Sequence, residues 1–85
     1  MYRYSSKIAW QSLDDEVVVI DLENRRVLGL NSSGAFVWTL AETHTVSQIA
    51  DALSDGYDVE PSIARSEVQS FFDDMCGRGL LEKIA

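Results

Sequence analysis

A run of four consecutive β-branched residues, at positions 17–20, constrains the fold more than any other feature of the sequence. Such side chains favour an extended backbone, because they pack well on a pleated sheet. The apolar segment that contains them, residues 16–22, is too short for an independent helix and is followed by a polar group at residues 23–26. We therefore predict a strand over residues 16–22.

Two further strands are predicted on either side of this run. Residues 7–11 alternate apolar and polar side chains, and Asp14 and Asp15 are typical of a turn before the next strand. Residues 26–30 offer a third strand after the polar group. Because short connections join neighbouring antiparallel strands, the three strands are expected to form a meander in chain order.

The remainder of the chain has the periodicity of helices. Residues 31–33, Asn-Ser-Ser, supply caps for a first helix that continues to Ala41. A second helix is predicted after Thr45, since apolar residues recur at helical spacing over residues 46–53. Residues 55–58 contain a glycine and are expected to break this helix.

A third helix is predicted to begin at Pro61, with Glu60 as its cap, and to continue to Arg78. Gly79 stands where a left-handed residue commonly ends a helix. Leu80 and Leu81 are expected to fold back as an apolar plug. The apolar residues that share one face of this helix are Ala64, Val68, Phe71, Phe72 and Met75.

Length, charge and composition limit the possible functions. With 85 residues the chain has room for a single domain, residues 1–85, with a small core. A formal charge of -7 opposes any partner held through its phosphates, so no nucleic acid partner is expected. The sequence has no signal segment and no membrane-length apolar stretch, and its single cysteine forms no internal disulfide. We expect a cytoplasmic protein without a membrane partner.

No pattern of reactive side chains indicates catalysis. His44 has no sequence neighbour suited to a catalytic triad, and Cys76 lies in an apolar helix, where thiols are commonly buried and inert. One histidine and one cysteine do not make a conventional zinc site, and the glycines lack a phosphate-binding spacing. We therefore expect that the protein is not an enzyme and that it binds neither a metal nor a cofactor.

The third strand is the most informative part of the sequence. At the edge of a three-stranded meander, one row of its backbone groups is unpaired, and residues 27–30 carry neither proline nor charge to protect them. Gly29 lacks a Cβ and would allow another backbone to approach. An open apolar edge favours the addition of a strand from a partner. The alternative is that the third helix or residues 80–84 cover this edge.

The same region resembles the PqqD-like family. The resemblance rests on a strand that ends in Leu30 and Asn31, then Gly34, then the pair Val37 and Trp38. Later motifs follow in the family's order: Thr45, Val46 and Ile49 open the second helix, and Val68, Phe71, Phe72, Met75, Gly79 and Leu80 close the third. The resemblance covers roughly residues 17–81, which is most of the chain.

This resemblance implies an α+β fold that is winged helix-turn-helix-like, with a three-stranded antiparallel sheet followed by three helices. It also implies a RiPP recognition element, RiPP being a ribosomally synthesised and post-translationally modified peptide. Such a protein is a peptide chaperone that binds the leader peptide of a precursor beside its third strand, against its third helix. The residues implied for peptide binding are Arg26, Val27, Leu28, Gly29, Leu30, Val68, Phe71, Phe72, Asp74 and Met75.

The resemblance is greatest to stand-alone proteins of lasso peptide biosynthesis, which implies a leader peptidase as the modifying enzyme. A chaperone that presents a precursor to a radical SAM enzyme in quinone cofactor biosynthesis is the alternative. A winged-helix DNA-binding protein is the third hypothesis, although acidic residues on the third helix would be repelled by phosphate. Those residues, Glu67, Asp73 and Asp74, are either a solvated face or a means of selecting a leader that carries Lys or Arg.

Overall fold

The computed structural model describes residues 1–84, which form five strands and three helices. The elements in chain order are β1 (Tyr2–Tyr4), β2 (Ile8–Leu13), β3 (Glu16–Asp21), β4 (Arg26–Leu30), α1 (Ser32–Leu40), α2 (Val46–Tyr57), α3 (Pro61–Gly77) and β5 (Leu81–Lys83). The predicted α+β architecture is confirmed, since β2, β3 and β4 form one antiparallel sheet in chain order and the three helices follow it.

The register of this sheet directs one face toward the helices. Val17 pairs with Leu30 and Val19 pairs with Leu28, so the inward side chains of β3 and β4 lie side by side. Val17 and Val19 are both 1% exposed, whereas Val27 on the other face of β4 is 71% exposed. Val17 and Val19 from the β-branched run, together with Leu30 from β4, therefore form the sheet's contribution to the core.

A second sheet, formed by β1 and β5, was not predicted. Tyr2 pairs with Lys83, and a hydrogen bond joins the Ile84 amide to the Met1 carbonyl at 2.9 Å. The pairing is antiparallel, and the Arg3 guanidinium contacts the Glu82 carboxylate at 2.9 Å. Strands of three residues are too short for an alternating pattern to be visible, so β1 and β5 could not be recognised from the sequence.

The starts of the helices follow the predicted caps. The Asn31 side chain accepts a hydrogen bond from the Gly34 amide at 3.1 Å, as expected for a cap. Thr45 and Gln48 form a reciprocal capping box at the start of α2. Glu60 caps α3, which continues from Pro61 to Gly77 and is followed by Gly79 with a φ of 76°.

The predicted break in the second helix is wrong. Residues 55–57 continue α2 as its last turn, and the helix ends only at Asp58, which has a left-handed φ of 54°. A single glycine costs a helix about 1 kcal/mol relative to alanine, and the packing of Leu53 and Ile49 in the core offsets this cost.

The core lies between the inner face of the three-stranded sheet and the helices. Its largest fully buried side chains are Trp38, Phe72, Ile49, Leu81, Val17, Val19 and Val68. Tyr4 and Trp10 pack against Trp38, with ring centroids 4.9 Å and 6.1 Å from it. The buried Nε1 of Trp38 has no hydrogen-bond acceptor among residues 1–84. None of the described helices is long and apolar enough to cross a bilayer.

Candidate functional site

The outer edge of β4 is available for a further strand. Strand β4 pairs with β3 on one side, and no other strand in the described part of the chain pairs with it. The predicted alternative that residues 80–84 cover this edge is wrong as regards pairing, because β5 pairs with β1 instead. Alternate N–H and C=O groups of β4 therefore point away from the sheet without a strand partner.

A groove separates this edge from α3. It consists of two adjoining cavities of about 390 Å³ and 380 Å³, and Leu28 borders both of them. The first cavity lies between Arg26 and Arg78, and the second lies between Leu30 and Phe71. Helix α3 thus runs antiparallel to β4 along the groove. We call this feature the edge groove, with an Arg26 end and a Phe71 end.

Most of the residues predicted for peptide binding border the edge groove. These residues are Arg26, Val27, Leu28, Gly29, Leu30, Phe71, Asp74 and Met75. Val68 and Phe72, in contrast, are each 0% exposed and lie in the core. They support the wall of the groove from behind and present no surface to a ligand.

The Phe71 end of the groove is largely apolar. Phe71 is half-buried, and its ring contacts the Phe72 ring edge-on, with centroids 5.9 Å apart. Leu28 is half-buried opposite it, while Leu30 and Met75 contribute the little surface they expose. Gly29 alternates with Leu28 and Leu30, so a Cβ on it would project from the outer face of the sheet, where it would meet no atom within 4 Å.

The Arg26 end carries charge. Asp21 lies opposite Arg26 in the sheet, and hydrogen bonds from the Asn24 side chain and then from the Asn24 amide lower the pKa of Asp21. Arg78 donates from Nε to both carboxylate oxygens of Asp74 at 3.2 Å. The sequence did not indicate Asp21, Asn24 or Arg78. The spacing of Asp74 and Arg78, one turn apart on α3, was the available signal.

The reactive side chains lie outside the edge groove. The His44 ring is hydrogen-bonded to the Thr43 hydroxyl at 2.7 Å in the loop before α2. Burial, and then the nearby Asp73 carboxylate, raise the pKa of the Cys76 thiol. A raised pKa keeps the thiol protonated at neutral pH and makes it a poor nucleophile.

Two of the three acidic residues predicted to select charge also lie elsewhere. Asp73 accepts a hydrogen bond from Gln69 at 3.0 Å and borders a separate polar cavity with Arg65. Glu67 borders another small cavity beside Ser33. Only Asp74 borders the edge groove, where Arg78 neutralises it.

The sequence of this chain matches the model of a known protein family. A family model described as "Coenzyme PQQ synthesis protein D (PqqD)" matches residues 16–81, from the start of β3 to the first residue of β5. The chain belongs to the PqqD family. This membership confirms the resemblance inferred from Leu30, Asn31 and the motifs that follow, and it agrees with the prediction of a non-catalytic protein. A search of curated proteins found no match.

Solved structures resemble this PqqD-family chain over almost its whole length. A structure of TbiB1 in complex with the TbiA(beta) leader peptide is 27% identical, with a TM-score of 0.88 and coverage of 98% of each chain. A lasso peptide synthetase B1, complexed with the leader peptide, is 20% identical with a TM-score of 0.86, covering 96% of this chain and 98% of that one.

A third structure is the PqqD truncation of Methylobacterium extorquens PqqCD, solved in solution as a functional and stand-alone RiPP recognition element. It is 24% identical, with a TM-score of 0.75, and the match covers 96% of this chain and 88% of that one. Together the three matches confirm the fold class predicted for this member of the PqqD family.

Proposed function

We propose that this protein is a non-catalytic adaptor that binds the leader segment of a ribosomally synthesised precursor peptide and delivers it to a modifying enzyme. The observation that carries the proposal is the unpaired edge of β4, which faces α3 across a groove whose Phe71 end is largely apolar. The similarity to TbiB1, which was solved with a leader peptide, supports it.

In this proposal the leader forms an antiparallel strand beside β4. Backbone hydrogen bonds to β4 set the register, and side chains at alternate positions of the leader enter the groove. Leu28 and Phe71 provide the apolar surface for them. Binding raises the effective concentration of the attached core peptide at the enzyme without altering the chemical step.

The proposed partner enzyme is a leader peptidase of a lasso peptide pathway. The similarity of fold to a lasso peptide synthetase B1 supports this choice. The family description, which names coenzyme PQQ synthesis, supports the alternative of a radical SAM enzyme in quinone cofactor biosynthesis. Genes beside the coding sequence distinguish the two: a transglutaminase-like protease with an asparagine-synthetase-like cyclase indicates the lasso pathway, and a radical SAM enzyme indicates the other.

Amide exchange measured by NMR tests strand addition directly. The probes are the TbiA(beta) leader peptide and the leader of the precursor encoded beside the gene. We expect the peptide to slow exchange at every second amide within residues 26–30, because only alternate N–H groups of a strand point toward the added strand. Binding of either probe without a change at β4 would place the peptide elsewhere. Failure of both probes to bind would contradict leader recognition itself.

Substitutions at Gly29 provide a matched pair for the same test. Gly29→Pro removes an N–H and distorts the edge, whereas Gly29→Ala adds a Cβ into open space. Because adjacent N–H groups point to opposite sides of β4, one of Gly29→Pro and Leu28→Pro removes a donor of the open edge and the other removes a donor directed toward β3. We expect both to weaken leader binding, whereas Gly29→Ala binds as the wild type does. Circular dichroism verifies that each variant is folded before its affinity is compared.

A further inference from the structure

We infer that the Arg26 end of the edge groove binds a carboxylate of the peptide, so that the protein selects leaders with Asp or Glu at this point. This inference rests on the proposed function and adds the chemistry of one side-chain position to it. The exposed guanidinium of Arg26 forms no hydrogen bond and no ion pair within residues 1–84, although it borders the cavity. Its donors are therefore available to a ligand.

The nearest acidic residue is already engaged. Asp21 lies opposite Arg26 across the two strands, but its Oδ1 accepts hydrogen bonds from the amides of Glu23 and Asn24, each at 3.1 Å. Its Oδ2 accepts a further hydrogen bond from the Asn24 side chain at 2.9 Å. The Asp21 carboxylate thus holds the turn between β3 and β4 and forms no direct ion pair with Arg26.

A second guanidinium lies across the same cavity. Arg78 contacts Asp74 only through Nε, and its two Nη groups form no hydrogen bond in the described chain. The Arg26 end therefore presents Nη donors from both walls of the groove. Arginine binds carboxylates through such paired donors, with hydrogen bonds about twice as strong as those between neutral groups.

The direction of the peptide gives the position of the carboxylate. A strand antiparallel to β4 passes the Phe71 end first and reaches Arg26 with its carboxyl-terminal residues. Because inward side chains of a strand occur at every second residue, the acidic residue should follow the apolar anchor at the Phe71 end by two or four positions. Selection for Lys or Arg would instead need a carboxylate with free acceptors in the groove. Both oxygens of Asp21 already accept hydrogen bonds, and Asp74 already accepts from Arg78.

Selection from a random peptide library displayed on mRNA tests the inference without knowledge of the natural leader. We expect wild-type protein to enrich peptides with an apolar residue followed, two or four positions later, by Asp or Glu. With Arg26→Glu, the acidic preference at that position should be lost while the apolar preference remains. Arg65→Glu is the matched control, since it makes the same charge change on the far side of α3 and should retain the acidic preference.

Titration of one selected peptide measures the contact. Replacement of its acidic residue by the corresponding amide should weaken binding to the wild type by about five- to tenfold. The same replacement should not change the affinity of the peptide for the Arg26→Gln variant. Glutamine is used here because a glutamate at this position would be repelled by the Asp21 carboxylate opposite it. The inference would be overturned if the enriched peptides showed no acidic preference. It would also be overturned if the amide peptide lost as much affinity for Arg26→Gln as for the wild type. Failure to enrich any peptide would instead contradict the proposed function.

Discussion

Tyr2 stacks on Phe72 with ring centroids 4.2 Å apart and ring planes 9° from parallel. This contact joins the N-terminal strand β1 to α3, the helix that forms one wall of the edge groove. The backbone of Tyr2 is held in position by the pairing of β1 with β5, in which Tyr2 lies opposite Lys83. The position of the groove wall thus depends on a strand that contributes no residue to the groove.

Tyr2→Ala tests this dependence. Because Tyr2 is 5% exposed and loses its whole ring, we expect the free energy of unfolding to fall by about 3 kcal/mol. Urea denaturation followed by circular dichroism measures the change. Leader affinity should also fall, since α3 loses its support.

Tyr2→Phe is the control for the same position. The hydroxyl of Tyr2 has only a long hydrogen bond from Gln69, at 3.4 Å, so its removal should cost less than about 0.5 kcal/mol. A loss as large as that of the alanine variant would mean that the hydroxyl, and not the stacked ring, supports α3.

Tyr4 should make stability depend on pH in the alkaline range. Burial, and then the Glu42 carboxylate, raise the pKa of Tyr4 from 10.0 to about 12. Its hydroxyl also donates to the Trp38 carbonyl at 2.6 Å, which requires the proton. Because the folded state holds this proton more tightly, its stabilisation is complete below pH 10.0 and is lost as pH rises through about 12.

Alkaline titration of unfolding by urea measures this effect, with Tyr4→Phe for comparison. The phenylalanine variant should lose about 1 kcal/mol at neutral pH and show a shallower decline above pH 10.0. Identical alkaline slopes for the two proteins would assign the decline to other groups.

Asn31 should contribute to stability as a helix cap at the end of the groove. Asn31→Ala removes the acceptor for the Gly34 amide and should lower the free energy of unfolding by about 1 kcal/mol. Asn31→Asp retains an acceptor and should restore most of this loss. Thermal unfolding distinguishes the two variants. Equal melting temperatures for the wild type and Asn31→Ala would show that the cap does not contribute measurably to stability.

Phe71 should be the main apolar contact for a bound leader. Phe71→Ala removes the ring that borders the groove, and we expect binding to weaken by about tenfold or more. Ile63→Ala is the control, because Ile63 is 51% exposed on the same helix and does not border the groove. Fluorescence anisotropy of a labelled leader measures both affinities, and equal losses would exclude a specific role for Phe71.

The sheet and the helix caps could be predicted because their signals are local. The β-branched run at residues 17–20 is distinctive enough to predict β3. Asn31 and Thr45 each stand directly before a segment with helical periodicity, as N-cap residues do. Strands β1 and β5 could not be found in this way. Their pairing joins opposite ends of the chain, and nothing within three residues of either strand reveals its partner.

The candidate site was predicted in part for the same reason. The open edge of β4 followed from strand order, and Phe71 followed from the apolar face of α3. That face is continuous, however, and periodicity alone does not separate buried Val68 and Phe72 from half-buried Phe71. The available donors of Arg78 were also hidden, because they depend on which cavity the end of α3 borders.

The indole of Trp38 gives the protein a built-in optical signal. Its Nε1 has no acceptor in the described chain and its ring is 0% exposed, so its emission should lie at the short wavelengths of an apolar solvent. Trp10 is 37% exposed and should emit at longer wavelengths. Because the two rings pack with centroids only 6.1 Å apart, exposure of the Trp38 ring should move the combined emission to longer wavelengths. Loosening of this part of the core can therefore be followed without a dye.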